Sequence, residues 1–191
     1  MIIISTYEKN HSKPRLNDVN SVNKFLKMKT EIGTVENFQK LAEFSSEIRK
    51  LTLKRLQEIP EGFMNWCLNN TAMSFVDIVH HLINVDELFF EISNTKEKQF
   101  QWKLGSEEPH QIVDKFTYEA MIEKLKEFQL KRHSVIYSLD DSRMNEEITD
   151  ENGKKMTFWW FLMQKVLEHE IYHRGQISAY LKVLKGESSK I

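Results

Sequence analysis

Apolar side chains recur along this chain at helical spacing rather than strand spacing, in four long runs. The first places Phe38, Leu41, Phe44, Ile48, Leu51 and Leu56 on one face; it opens after Gly33 with Thr34 as N-cap and stops at Pro60-Glu61-Gly62. An irregular, Asn-rich stretch from Phe63 to Met73 follows. The second run starts at Ser74, three residues before Asp77, which is the spacing of a capping box. It carries Ile78, His81, Leu82, Val85, Leu88 and Phe89. The polar segment 96–116, with Gly105 and Pro109, predicts a long connection. The third run begins near Thr117 and uses Tyr118, Met121, Ile122, Leu125, Phe128, Leu130, Val135 and Ile136. The fourth, capped by Thr157, aligns Phe158, Phe161, Leu162, Val166, Ile177, Tyr180, Leu181 and Leu184 and ends at Gly186 as a C′ residue. Trp66, Trp159, Trp160, Tyr172 and Tyr180 read as core aromatics of these helices.

Between the last two runs, Asn152-Gly153 has the signature of a type I′ hairpin turn joining Glu147-Ile148-Thr149 to Lys155-Met156. The pattern therefore predicts an all-α four-helix bundle with a small β-ribbon before the last helix. Three prolines and six glycines in 191 residues leave the helices uninterrupted, and bundles of this kind build metal sites in their cores from facing helices.

Composition adds three constraints. The formal charge of −1 gives no general attraction to nucleic acid or anionic membrane, so neither is an expected partner. The balance hides an asymmetry: Lys9, Lys13, Arg15, Lys24, Lys27 and Lys29 face only Glu8 and Asp18 in residues 1–30. That stretch is a basic N-terminal extension, and residues 31–191 form the bundle domain. Its single early aromatics, Tyr7 and Phe25, and the lack of an Arg-rich run favour a solvated arm over a polyanion-binding one. Cys67 is the only cysteine, so no intrachain disulfide forms and a reducing, cytoplasmic setting is expected. No run of about 18 apolar residues exists for a membrane span, and Met1-Ile2-Ile3-Ile4 is too short for a signal peptide.

The chemistry concentrates in His169-Glu170-Ile171-Tyr172-His173-Arg174-Gly175-Gln176. Residues at i and i+4 share a helix face with Cβ atoms ~5–6 Å apart. Both imidazoles belong to the apolar stripe of the last helix, so they point inward and need polar partners. A carbonyl or water can supply these, and so can one shared cation; a third ligand decides. The second helix offers His80 and His81, which point ~100° apart. His81 lies among Ile78, Leu82, Val85 and Leu88, whereas His80 falls on a flank with Asp77, Asn84 and Glu87.

These two segments resemble the DinB/YfiT-like four-helix-bundle metalloproteins. The likeness rests on Ser74-Phe75-Val76-Asp77-Ile78-Val79-His80-His81-Leu82 and on the His169–Gln176 string, and it extends over roughly residues 34 to 186. It implies a divalent metal held by His81, His169 and His173, with Zn or Ni expected first and Mn or Fe next. It also implies a small-molecule substrate, because some relatives transfer a low-molecular-weight thiol (bacillithiol, mycothiol or glutathione) to an electrophile. The expected activity is such a metal-dependent, bacterial-type thiol S-transferase. The alternatives are a metal-dependent hydrolase and a non-catalytic metal-binding stress or interaction module. The exposed faces of such a bundle leave room for a homodimer.

The neighbours of the histidines narrow the chemistry. His169-Glu170-x-x-His173 satisfies the zinc-protease pattern, yet no histidine follows in the 18 remaining residues. Glu170 points off the ligand face and reads as an inter-helix or surface salt bridge, with Arg174 as an i+4 partner. Asp77, one turn before His81, and Gln176, three residues after His173, are the candidates to hydrogen-bond a ligating ring. Cys67 has no base near it in sequence and reads as ordinary.

Overall fold

The structure is a computed structural model that describes residues 19–95, 98–102 and 112–188, with residues 19–35 and 187–188 described by backbone alone. Residues 1–18 of the basic arm and most of the 96–111 connection lie outside the described residues.

Three long helices come first: α1 (Val19–Leu56), α2 (Phe75–Asn94) and α3 (Lys115–Tyr137). A single turn, α4 (Asp141–Met144), precedes the strands β1 (Glu147–Thr149) and β2 (Lys155–Thr157). The last rod is continuous: α5 (Phe158–Trp160), a π-helical segment (Phe161–Glu168) and α6 (His169–Ser188). Around the bundle, α1 packs on α3 and α6, and α2 packs on α3, the π segment and α6. Successive helices α1 and α2 therefore sit across one diagonal, and α3 and α6 across the other.

Local signals explain most boundaries. Ser74 and Asp77 form the complete capping box that opens α2, each side chain accepting the other's backbone N–H. Asp114 caps α3 by accepting from Thr117 N–H, two residues earlier than the apolar pattern implied. Thr157 caps the last rod through Trp160 N–H. Two boundaries differ from expectation. Thr34 is not an N-cap, since α1 runs through it from Val19; one glycine in a helix interior costs only about 1 kcal/mol and does not stop it. Gly186 likewise lies inside α6 and does not take a positive φ.

The ribbon forms with Ile148 opposite Met156, both buried. Its turn is not type I′, which needs positive φ at two central residues, because only Gly153 has one (φ 77°). Gly153 N–H donates to Asp150 O, Asp150 N–H to Lys154 O, and Asp150 Oδ1 accepts from Asn152 and Lys154. The result is a three-residue loop ending in a left-handed glycine. Lys98–Phe100 pairs with Thr149 alongside β1, which fastens this part of the connection to the ribbon.

The stripe of the last rod is as the pattern predicts, with all eight of its residues buried. The stripe of α1 holds only in part: Phe38, Ile48 and Leu56 are buried, but Phe44 and Leu51 are 49% and 45% exposed, and Ala42, Ser45, Arg49, Thr52 and Leu53 take inward positions that the pattern did not select. Leu130 on α3 is exposed as well, and Trp159, Trp160 and Tyr172 lie at the surface rather than in the core.

Arg49 belongs to an ionic layer that crosses the whole bundle. Its Nε donates to Glu170 Oε1 (2.8 Å) and its Nη2 to Asp86 Oδ2 (2.8 Å). Arg132 Nη1 donates to Glu170 Oε2 (2.8 Å) and to Asp86 Oδ1 (3.1 Å). One charged residue thus comes from each of α1, α2, α3 and α6, all fully buried and of zero net charge. Backbone carbonyls of Leu125 and Ser45 accept two more guanidinium N–H groups. Apolar clusters fill the bundle on either side of this layer: Phe89, Phe90, Ile136, Phe158 and Phe161 on one, Phe75, Leu82, Leu125, Ile177 and Leu181 on the other.

Candidate metal centre

His81, His169 and His173 meet beside the ionic layer, on the side where α2 faces α6. Turning ~100° per residue, α6 directs Glu170 into the layer while His169 and His173 point towards α2. The preceding π segment contributes to this phase. Its buried residues pair as Phe161 with Val166 and Leu162 with Leu167, five apart, which suits i→i+5 winding. Lys165 is left on the flank next to the histidines rather than beneath them.

The three Nε2 atoms converge. His81 Nε2 approaches His169 Nε2 at 2.6 Å, and His173 Nε2 approaches the same atom at 3.1 Å. One ligand atom from each residue falls within 4.8 Å of the others, the only such grouping of three metal-type side chains among the described residues. His173 is buried, and His81 and His169 are half-buried, so the cluster opens on one side. His80 stays outside it, with Nδ1 3.5 Å from the Asn84 side-chain nitrogen.

Burial is the main cause that drives all three imidazoles toward the neutral form. His81 falls to about 3 and His169 to about 4, each helped by the other histidines or by Lys165. His173 is also lowered, its burial partly offset by Gln176 and by the Glu170 charge. Gln176 has a second effect. Its Oε1 lies 3.0 Å from His173 Nδ1, and its Nε2 donates to the Tyr180 hydroxyl (2.7 Å). The amide oxygen therefore accepts Nδ1–H and leaves the Nε2 lone pair of His173 facing the cluster. Tyr180 is itself held edge-on between Trp66 and Phe75. Asp77 Oδ2 is engaged with the Ser74 backbone in the capping box.

Three imidazole Nε2 atoms converging on one another, with a side open to solvent, form a donor set that fits a divalent cation. Imidazole serves Zn, Ni, Cu and Fe alike, so the donors do not select the metal. Glu170 is unavailable to this site. Burial would raise its pKa, but Arg49 and Arg132 outweigh that and hold it at about 2. It pairs with these two arginines rather than with Arg174, whose Nη1 instead reaches Ile48 O at 3.5 Å.

The rim contains residues that no sequence pattern singled out. Trp102, from the connection before α3, stands edge-on to His169 with ring centroids 5.7 Å apart, and its backbone N–H donates to Glu151 (2.7 Å). Lys165 Nζ lies 4.8 Å from the Trp102 ring centroid. The Tyr172 ring meets His173 edge-on at 5.3 Å. Trp102 carries no periodic signal because its neighbours are not helical. A separate cavity of about 630 Å³ between the end of α1 and the start of α3, lined by Leu56, Ile59, Pro60, Met64, Tyr118 and Ile122 among others, contains none of the three histidines.

Fold and site together define a four-helix bundle protein with an interior three-histidine cluster of metal-binding type. The chain belongs to the DinB superfamily, whose family profile matches residues 46–177, a span containing the three histidines and the whole ionic layer. An uncharacterized protein YjoA of Bacillus subtilis (strain 168) is 24% identical over 136 residues, 70% of this chain and 82% of that one. The crystal structure of YjoA superposes with a TM-score of 0.57 at 22% identity, covering 76% of this chain and 92% of the other. YfiT of the same species, described as a probable metal-dependent hydrolase with an unusual four-helix bundle topology, gives a TM-score of 0.60 at 14% identity over 79% and 89% of the two chains. No described helix is long and apolar enough to cross a membrane.

Proposed function

We propose that the protein is a metal-dependent enzyme that joins a low-molecular-weight thiol to a small electrophile, with His81, His169 and His173 as the metal ligands. The observation that carries this reading is the combination of an open cluster of three neutral Nε2 atoms with a Glu170 withdrawn into the ionic layer. A divalent cation at that cluster would lower the pKa of an exogenous thiol, so that its proton passes to solvent and its sulfur bonds to the electrophilic carbon as the leaving group departs. The chain's own part is orientation and exclusion of water. Gln176 sets the His173 tautomer, Trp102 and Tyr172 wall the approach, and the ionic layer holds α6 in phase. Thiol transfer makes no demand for a carboxylate base, which Glu170 is not placed to supply.

Hydrolysis is the second reading, favoured by the fold shared with YfiT and the description of that protein. Elemental analysis tests the ligands: about one zinc or nickel per chain is expected, lost in a His169→Ala, His173→Ala double variant and kept in His80→Ala. Protein loaded with Zn, Ni or Mn is then offered bacillithiol, glutathione or cysteine with monochlorobimane. Turnover that disappears in His81→Ala supports the transferase. Stoichiometric metal without turnover in any combination overturns it, and metal surviving the double variant overturns the ligand assignment.

A further inference from the structure

Among the described residues the cluster is built from three imidazoles with no carboxylate in it. As metal ligands, imidazoles bring no negative charge, and the rim beside His169 carries the cationic Lys165, whose ammonium lies over the Trp102 ring that stands edge-on to His169. The carboxylates of Asp86 and Glu170 are matched one for one by Arg49 and Arg132. Among the described residues no carboxylate forms an ion pair with Lys165, whereas many surface lysines here have such a partner, Lys124 with Glu87 and Lys155 with Glu147 among them. A divalent cation would add two positive charges next to a lysine that already repels cations.

Lys165 is also held in place. Its ammonium sits over the Trp102 ring, 4.8 Å from the centroid, while the same ring stands edge-on to His169. The cation–π attraction restricts a side chain that would otherwise sample many rotamers. Trp102 is in turn fixed by its backbone hydrogen bond to Glu151. Among the described residues no carboxylate takes the N–H groups of this ammonium, which a ligand anion can reach.

We propose that Lys165, positioned by Trp102, is a specificity-determining residue that reads an anionic group, most simply a carboxylate, on the small molecule entering the His81–His169–His173 centre. The proposal rests on the metal reading above and deepens it. The anion would offset the excess positive charge and anchor the molecule at a second point, so that neutral analogues bind more weakly. The bland competitor is that Lys165 only lays its methylene stem on Trp102.

Zinc-loaded protein is titrated calorimetrically with 3-mercaptopropionate and 2-mercaptoethanol, thiols of similar size with and without a carboxylate. The wild type is expected to prefer the acidic thiol, and Lys165→Met, which keeps the stem and removes the charge, is expected to reduce that preference by about fivefold, as for one partly exposed charge-assisted contact. Lys165→Arg should restore it, and Trp102→Ala should weaken it. Zinc stoichiometry, measured in parallel, should be unchanged in Lys165→Met. An equal preference in wild type and Lys165→Met, each carrying one zinc, overturns this inference and leaves the metal reading standing. Failure of the wild type to hold zinc overturns both.

Discussion

Glu170→Gln separates two roles that the same residue is given by two readings of His169-Glu170-x-x-His173. In a zinc-protease arrangement the glutamate is a general base, and its amide would abolish activity while leaving the fold intact. In this structure its carboxylate receives three N–H groups from Arg49 and Arg132 inside a fully buried layer. The amide retains one acceptor oxygen and turns an NH₂ toward guanidinium donors, leaving two arginines to share the single charge of Asp86. Breaking a buried ion pair in this way costs about 3–5 kcal/mol. For a domain of this size 1 kcal/mol lowers Tm by roughly 2–4 °C, so the melting temperature should fall on the order of 10 °C. Thermal denaturation of the chelated protein at pH 7.5, followed by circular dichroism, measures this without a metal contribution. Zinc content measured well below the transition should be little changed, because the three ring nitrogens are intact. A variant that melts with the wild type but has lost all turnover would refute the argument and return Glu170 to the role of base.

Two further outcomes follow from the same geometry. Gln176→Leu removes the acceptor of His173 Nδ1–H and should weaken zinc binding by about 10–100-fold, the usual effect of losing a partner of a ligating histidine; unchanged affinity in a competition titration with a fluorescent chelator would show that the tautomer is not controlled there. Acid should loosen the metal-free protein in two stages. The histidines have depressed pKa values in the fold, so their contribution is whole above the ordinary value of 6.5 and is lost as pH falls towards about 4 for His169 and about 3 for His81. Glu170 adds a second loss between 4.5 and about 2. Stability from urea titrations should therefore decline from pH 6.5 downward, and the decline between 6.5 and 4 should be shallower in His81→Ala, His169→Ala; a wild-type profile flat down to pH 4 would contradict the neutral cluster.

How much of this was legible in the sequence depended on whether inward positions were apolar. The last rod reads correctly because every stripe residue from Phe158 to Leu184 is hydrophobic and buried. On α1 Phe38, Ile48 and Leu56 are buried as the stripe implies, but Ala42, Ser45, Arg49 and Thr52 share the inward side while Phe44 and Leu51 look outward, so a search for hydrophobic side chains finds only part of that face. A signal for the ionic layer was nevertheless present. Asp86 interrupts the apolar face of α2 between Val85 and Phe89, and Arg132 falls in register between Leu125 and Ile136. Charges in phase with core residues on several helices can be buried only if they neutralise one another. His169 and His173 were legible from their spacing, His81 from its place on the apolar face of α2, and the set of three from the family resemblance. Trp102 and Lys165 were not singled out: Trp102 lies outside the periodic runs, and Lys165, although four residues before His169 and so on its face, reads as an ordinary charge until the Trp102 ring is placed against it.

The ionic layer and the histidine cluster are linked through the rotational phase of one helix. Glu170 follows His169 by one residue and precedes His173 by three, so a rotation of α6 that freed the carboxylate would swing both rings away from His81. Apolar side chains tolerate such rotation, because one leucine can replace another in a greasy interface at modest cost. Four charges drawn from four helices do not: any other phase leaves a guanidinium or carboxylate buried without its partner, at a cost of several kcal/mol. Well-packed hydrophobic residues could stabilise the same bundle as well or better, so stability alone gives no reason for the layer. Its consequence is that α1, α2, α3 and α6 share one register, in which His169 and His173 of α6 are held against His81 of α2.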